Sequence, residues 1–236
     1  MLDCPAVPHA KQSPFRARRW RGSSLVPACL ALAMPAAAGT VTGKVELIEK
    51  GGRRASGLSD VIVYVEGPKA KGKPERVTMA MKDKAFRPRV AAVSAGGVVE
   101  FPNQDPIFHN VFSVSGANRF DLDLYKRPRS GSWTFSAPGV ARVYCNIHPQ
   151  MSAVVLVRDN PYFTTAAADG SFTIDHVPAG RWLIKAWQEH APEASQEIVV
   201  GADNRVTAQL VLDASQWKKL PHKNKYGKDY KTDERY

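Results

Sequence analysis

The stretch VYCNIHPQM, residues 143–151, places Cys145, His148 and Met151 at three-residue intervals. All three residue types are uncommon, and a thiol, an imidazole and a thioether share little as packing material. The flanking segments ARVYC and MSAVVLV have the apolar, β-branched pattern that is typical of strands. We therefore interpret NIHPQ as a tight loop between two strands that brings the three side chains to one point.

The first 38 residues are interpreted as a cleaved export signal. Five basic residues precede an apolar stretch, residues 25–38, that is too short and too often interrupted by proline to span a bilayer. Small residues at positions 36 and 38 predict cleavage before Gly39, so we expect a periplasmic protein without a transmembrane segment. Cys4 and Cys29 leave with the signal. Cys145 is then the lone thiol of the exported chain and has no partner for an internal disulfide.

A metal site accounts for this lone thiol and its neighbours. Thiolate, imidazole and thioether ligands suit an ion that cycles between Cu(I) and Cu(II), whereas zinc accepts Cys and His but seldom Met. One more histidine is expected from a distant strand. In VVEFPNQDPIFHNVFSV, His109 follows a strand and a turn that would leave it at the same end as the cysteine loop. The other histidines of the exported chain have no cysteine or methionine close to them in sequence. They are interpreted as surface or turn residues: His176, His190 and His222.

Residues 77–157 resemble a cupredoxin, the blue-copper fold of plastocyanin, amicyanin and azurin. The matching segments are FRPRV, AGGVVEFPNQD, HNV, PGVARVYCNIHPQM and SAVVLV, and the Cys-x2-His-x2-Met spacing is similar to the short ligand loop of amicyanin. The resemblance implies an eight-stranded or similar antiparallel Greek-key β-sandwich with one mononuclear type 1 copper site. It also implies His109, Cys145 and His148 as equatorial ligands, Met151 as a long axial ligand, and Asn110 as the residue that ties the two ligand loops together.

The same resemblance implies a docking surface for redox partners. In the family the loop histidine lies near the surface inside an apolar rim. The residues that would form this rim here are Pro106, Ile107, Phe108, Ile147 and Pro149. The alternative is that several of them pack beneath the loops or against a second domain.

Strand patterns outside residues 70–158 indicate a second small β-sandwich. ADGSFTI and VPAGRWLIKAW, in residues 159–214, resemble the transthyretin-like, carboxypeptidase regulatory-type sandwich, and GTVTGKV with GLSDVIVYVEG, in residues 39–69, resembles its usual opening. We expect the cupredoxin to be inserted into this sandwich, in which case residues 61–65 contact residues 183–186. In the alternative, residues 39–67 extend the cupredoxin sheet and pair with residues 154–157. The architecture also resembles chains labelled methylamine utilization proteins.

Charge is unevenly distributed along the chain. The net charge is +11, and residues 39–236 carry +7 of it. The tail, residues 215–236, is rich in lysine and is expected to be solvated and disordered, or to attract an acidic partner or a membrane surface. No interleaved basic and aromatic pattern indicates nucleic acid.

The sequence thus predicts an all-β protein that carries electrons rather than an enzyme, because four protein ligands leave no open position for a substrate. The redox donor and acceptor are not identified. Two alternatives remain: a copper-binding or delivery protein without electron shuttling, and a structural binding module with a secondary copper site.

Overall fold

A computed structural model describes residues 38–218 and 221–230. The prediction of an all-β chain is confirmed, because helical structure in the described residues is limited to two single 3-10 turns, Lys50–Gly52 and Gly116–Asn118. The strands in chain order are β1 (Ala38–Ile48), β2 (Ile62–Glu66), β3 (Arg76–Thr78), β4 (Ala80–Lys82), β5 (Ala85–Arg87), β6 (Val90–Ser94), β7 (Gly97–Pro102), β8 (His109–Ser113), β9 (Phe120–Tyr125), β10 (Ser130–Phe135), β11 (Gly139–Tyr144), β12 (Ser152–Arg158), β13 (Phe163–Thr165), β14 (Ser171–Pro178), β15 (Gly180–Gln188), β16 (Ala191–Val200) and β17 (Arg205–Asp213).

The segment between β3 and β12 forms two sheets around one apolar core. The larger sheet has the order β6-β12-β11-β8-β9, the smaller has the order β10-β7-β3, and β4 and β5 form a separate hairpin. Their inward side chains form a single buried cluster that includes Phe101, Phe135, Val143 and Val155. The expectation of an antiparallel sandwich is wrong for two neighbours, because β12 runs parallel to β6 and β3 runs parallel to β7. The chain changes sheets between β6 and β7, so β6 lies beside β12 without a hairpin connection.

The remaining strands form a second pair of sheets. One has the order β14-β1-β17 and the other β13-β2-β15-β16. In the register of β2 with β15, Val65 lies opposite Ile184 and Val63 lies opposite Ala186. This is the pairing that the inserted layout requires, whereas β12 pairs with β11 and β6. The strand pairing therefore favours the inserted layout, and the domain boundaries stay a prediction.

A third apolar cluster joins the two sandwiches. Successive residues of β2 point to opposite faces, as in any strand: Val63 and Val65 enter the core of the second sandwich, while Ile62 and Tyr64 face the first. Val154 and Leu156 of β12 complete the same interface, and the residues that alternate with them enter the first core. Both strands are buried on both faces, which explains why IVYV and AVVLV are continuous apolar runs.

The export signal falls almost entirely on residues 1–37, which lie outside the described residues. Within the part of the chain that the structure describes, no helix has the length and apolar character needed to cross a bilayer. The prediction for the tail needs a correction, because residues 221–230 lie against the loop that carries Cys145.

Candidate metal centre

Strand ends bring the predicted ligands to one end of the larger sheet. His109 is the first residue of β8, Cys145 directly follows β11, and Met151 directly precedes β12. Strand β11 pairs antiparallel with both β8 and β12. Because the end of one strand then lies beside the start of its neighbour, all these positions meet at the same edge, although His109 is 36 or more residues away in sequence.

Three of the predicted ligands form a compact buried cluster. His109 Nδ1 lies 3.0 Å from His148 Nδ1, and Cys145 Sγ lies 3.6 Å from the same His148 nitrogen. One ligand atom from each of the three residues can be chosen so that all lie within 4.8 Å of one another. His109 and Cys145 are fully buried, and His148 is 8% exposed. The cluster therefore presents one thiol and two imidazoles to a common point.

Met151 completes the loop from its C-terminal end. The Cys145 N–H donates to the Met151 carbonyl at 3.2 Å, and the Met151 N–H donates to the His148 carbonyl at 3.0 Å. The Met151 side chain is fully buried in the same apolar cluster as Cys145. These contacts fix the loop as a compact turn, and the role of Met151 as an axial ligand stays a prediction.

The orientation of the His109 ring is set by Asp105, four residues earlier. Its Nε2 donates to Asp105 Oδ2 at 2.8 Å, because a carboxylate can only accept, and this leaves Nδ1 directed at His148. Burial raises the pKa of Asp105, but hydrogen bonds from the backbone of Lys84, the His109 ring and the backbone of Asp83 outweigh burial and lower the pKa overall. Asp105 is therefore an anion behind a ring nitrogen, an arrangement that raises ligand basicity in metal sites.

Sequence reasoning missed Asp105, because PNQDP was interpreted only as a turn. The turn is real, but its acid also accepts backbone hydrogen bonds from Asp83 at 2.8 Å and Lys84 at 3.0 Å. The signal available in the sequence was an acid shortly before a candidate ligand histidine.

The two facing imidazoles fit a bound cation. Two Nδ1 atoms 3.0 Å apart can share the single ring proton of a neutral His148 in a hydrogen bond, or can both bind a metal ion. Burial, the neighbouring His109 and the charge of Lys84 lower the pKa of His148 to about 4, although Asp105 opposes them, so this ring is neutral rather than an imidazolium near pH 7. An ion bound about 2.0 Å from each nitrogen and about 2.3 Å from sulfur requires donor separations of about 3–4 Å. The two separations in the structure, 3.0 and 3.6 Å, fall in this range.

The surroundings of the Cys145 sulfur also suit a metal-bound thiolate. Burial raises the pKa of this thiol, while hydrogen bonds from the backbone N–H groups of Asn110, Ile147 and His148 act in the opposite direction. A buried thiol would gain little from three such donors. A thiolate held by a positive ion would be stabilised by all of them.

The Asn110 side chain bonds to β9, and the role of this residue in tying the two ligand loops together stays a prediction. Its Nδ2 donates to Asp121 Oδ1 at 2.7 Å and to the Asp123 carbonyl at 3.0 Å, both in β9. The Asn110 backbone N–H is near enough to the Cys145 sulfur to act against the raised pKa of that thiol. The side chain bonds to β9 because β8, which carries Asn110, and β9 are hydrogen-bonded neighbours.

The predicted rim is brought together only in part. An apolar depression of about 350 Å³ beside the His148 ring is lined by Pro106, Ile107, Phe108, Leu124, Lys126 and Ile147. Pro149, the fifth predicted residue, lies on another side of the loop, where its carbonyl accepts a hydrogen bond from His222. Leu124 and Lys126 were missed because they come from β9 and from the residue after it.

Comparisons with known proteins identify partial structural similarities. No protein-family model matches the chain, and no curated protein matches it in sequence. A copper-containing nitrite reductase from Thermus scotoductus SA-01 is 27% identical over 36% of this chain and 23% of its own, with a TM-score of 0.34. A purple cupredoxin from Nitrosopumilus maritimus is 19% identical over 34% of this chain and 98% of its own, with a TM-score of 0.31.

A reduced Cu(I) form of an amicyanin mutant is 20% identical over 41% of this chain and 98% of its own, with a TM-score of 0.34. This chain therefore spans less than a quarter of the nitrite reductase and nearly all of the other two. These TM-scores are too low for the similarities to support a conclusion about the fold or function of this chain.

Proposed function

We propose that the protein is a periplasmic type 1 (blue) copper protein that carries single electrons between redox partners. The observation that carries the proposal is the buried cluster in which atoms of His109, Cys145 and His148 lie within 4.8 Å of one another. In the described ranges, 38–218 and 221–230, it is the one group of His, Cys, Asp and Glu side chains with a geometry suited to a metal ion. Copper, when bound there, supplies a one-electron change between Cu(I) and Cu(II).

Copper is favoured over zinc by the donor set. One thiolate and two imidazoles in a trigonal arrangement, with a methionine on the same loop, match the ligands of blue-copper sites. Structural zinc sites take four Cys and His ligands in a tetrahedron. The described residues provide a thiol and two imidazoles at this point, and the buried Met151 is the remaining donor on the loop.

The protein framework is suited to electron transfer because it restrains His109, Cys145 and the backbone of the loop from Cys145 to Met151. His109 is held from behind by Asp105, Cys145 is held by three backbone donors, and the loop is closed by its own hydrogen bonds. A site that cannot relax changes little in geometry when its charge changes. Little rearrangement then accompanies the gain or loss of an electron.

The route for the electron runs through His148, the one ligand of the cluster that is exposed at all. The apolar depression beside its ring supplies a contact surface of the small size that transient redox partners use. Lys126 Nζ lies 5.3 Å from the centroid of the exposed Phe108 ring, and Lys84 is close enough to lower the pKa of His148. We propose that the partner contributes an apolar contact flanked by acidic side chains.

The second sandwich is proposed to be a transthyretin-like domain, residues 39–69 and 159–214, into which the copper domain, residues 70–158, is inserted. Support comes from the register of β2 with β15 and from the apolar interface between the two bodies. We propose that the second sandwich holds the copper domain in a fixed orientation.

The test is to express the full chain, purify it from the periplasm, add Cu(II) and record visible and electron-spin spectra. An intense blue thiolate band with a reversible redox couple is expected. Cys145→Ser and His109→Ala should abolish the band, while the control His176→Ala, in β14 of the other sandwich, should retain it. Tight copper binding without a blue band or a reversible couple would favour copper delivery instead, and a protein that binds no copper would refute the proposal.

A further inference from the structure

The C-terminal segment 221–230, here called the strap, lies across the outside of the ligand loop. Three hydrogen bonds join the two: His222 Nε2 donates to the Pro149 carbonyl at 2.8 Å, the Lys225 N–H to Asn146 Oδ1 at 3.0 Å, and the Tyr230 hydroxyl to the Cys145 carbonyl at 2.8 Å. Each bond joins positions 73 or more residues apart in sequence, and their acceptors lie between Cys145 and Pro149. The strap is thus attached at several points of the loop.

Aromatic contacts hold the strap in place. The His222 ring stacks on Tyr144, with centroids 4.1 Å apart and planes 22° apart, and Tyr230 meets His222 edge-on at 5.3 Å. Tyr144 directly precedes Cys145. The stack therefore covers the end of β11 from which the Cys145 thiol extends, and His222 is a half-exposed residue that also contacts the ligand loop.

A second connection runs from the strap to the other side of the site. Lys225 Nζ lies 2.6 Å from Asp121 Oδ2, and Asp121 Oδ1 accepts from Asn110 Nδ2 at 2.7 Å. The backbone N–H of Asn110 in turn donates to Cys145 sulfur. Two lysines of the strap are therefore paired within the molecule, Lys225 with Asp121 and Lys223 with Asp229 at 2.5 Å. This differs from the expectation of a solvated basic tail.

We propose that the strap is a positioning element of the metal centre, and that Tyr230 is its central positioning residue. The inference rests on the proposed function and deepens it. By fixing the Cys145 carbonyl from outside, Tyr230 restrains the backbone from which the thiol extends, while His222 and Lys225 restrain the rest of the loop. The strap also stacks on Tyr144, on a side of the cluster other than the apolar depression beside His148.

The first test measures amide hydrogen exchange in the copper-free protein. The Cys145 and Met151 amides, both hydrogen-bonded within the loop, report its opening, and the Ile184 amide of the second sandwich reports global folding. Removal of residues 221–236 should accelerate exchange of the two loop amides at least about tenfold, and Tyr230→Phe about fivefold. The matched control is Tyr226→Phe, on a side chain that is 70% exposed, and should change neither.

Unchanged exchange of the loop amides in the truncated protein, with Ile184 still protected, would overturn the proposal. If the truncated chain does not fold, unchanged exchange of the loop amides in Tyr230→Phe, with Ile184 still protected, would overturn the proposal.

The second test uses the copper-loaded protein. Tyr230→Phe should shift the reduction potential and the blue absorption maximum, and Tyr226→Phe should shift neither; identical values for Tyr230→Phe and the unmodified protein would overturn the positioning role. The two proposals fail separately. An unmodified protein with no blue band refutes the electron-carrier function, whereas the exchange measurement, made without copper, still decides on the strap.

Discussion

Asp105 Oδ2 accepts a 2.8 Å hydrogen bond from His109 Nε2 and thereby fixes which nitrogen of that ring faces the cluster. The carboxylate is itself held by the backbone of Asp83 and Lys84, in the β4–β5 hairpin. A short hairpin that provides no candidate ligand thus determines the orientation of a candidate ligand histidine. Carboxylates placed behind ligand histidines in this way commonly affect metal affinity by one to two orders of magnitude.

Asp105→Asn tests this relationship. The amide keeps an acceptor for His109 but removes the negative charge that stabilises the higher oxidation state. We expect Cu(II) affinity to fall about tenfold and the reduction potential to rise, measured by competition titration and by voltammetry. Asp203→Asn, an exposed acid in the turn before β17, is the control and should change neither. An unchanged potential in Asp105→Asn would show that the carboxylate acts only on the fold.

The pairing of Val65 with Ile184 tests the layout of the second sandwich. Both residues are fully buried in one cluster, so Ile184→Ala should lower the free energy of unfolding by about 2–5 kcal/mol. A double-mutant cycle with Val65→Ala should give a coupling of about 0.5–3 kcal/mol. Urea denaturation provides the measurement, and Val211→Ala, half-exposed on β17, is the control. Strictly additive effects would contradict direct packing between these strands.

The lowered pKa of His148 predicts an acid-sensitive copper-free protein. The value is about 6.5 for an unperturbed histidine and about 4 in the folded chain, so the unfolded state binds more protons between these pH values. Stability is therefore full above about pH 6.5 and is lost as the pH falls towards 4, by roughly 2–3 kcal/mol from this group. Urea unfolding at several pH values should show a shallower dependence in His148→Gln. Bound copper should not remove the effect, because it keeps His148 unprotonated in the folded state while the unfolded chain still takes up the proton.

The basic flank of the apolar depression predicts charge-dependent electron transfer. Lys126→Glu should slow reduction by an anionic probe such as ferrocyanide several-fold at low ionic strength and accelerate reduction by a cationic complex. Stopped-flow absorbance of the blue band gives the rates. Salt should diminish both effects. Lys50→Glu, on the exposed 3-10 turn of the second sandwich, is the control; equal effects from both variants would indicate net charge rather than a local surface.

Most of the candidate ligands could be predicted because they lie close together in the sequence. Cys145, His148 and Met151 lie within seven residues, and strands on both sides leave few geometries for the loop. His109 was predicted because strand ends that alternate in direction meet at the same edge. The pairing of β2 with β15 was also expected, since two isolated strands cannot bury an apolar face.

Other features depended on contacts that no local pattern encodes. Asp105 lies in a segment, PNQDP, that has the composition of a turn. Only the fold places the His109 ring against its carboxylate. The side chain of Asn110 follows β9 rather than the cysteine loop.

The sequence by itself determined the all-β class, the alternation of buried and exposed positions, and the residues able to bind a soft metal, because these depend on composition and on spacing within single strands. Only the tertiary structure decided what surrounds those residues. Lysine and tyrosine in a polar tail are compatible with solvation, and their ordering depends on acceptors that lie 79 and 85 residues away in the chain. Such contacts exist only after the sandwich has closed and has placed the free carbonyl and amide groups of the ligand loop within reach of the tail.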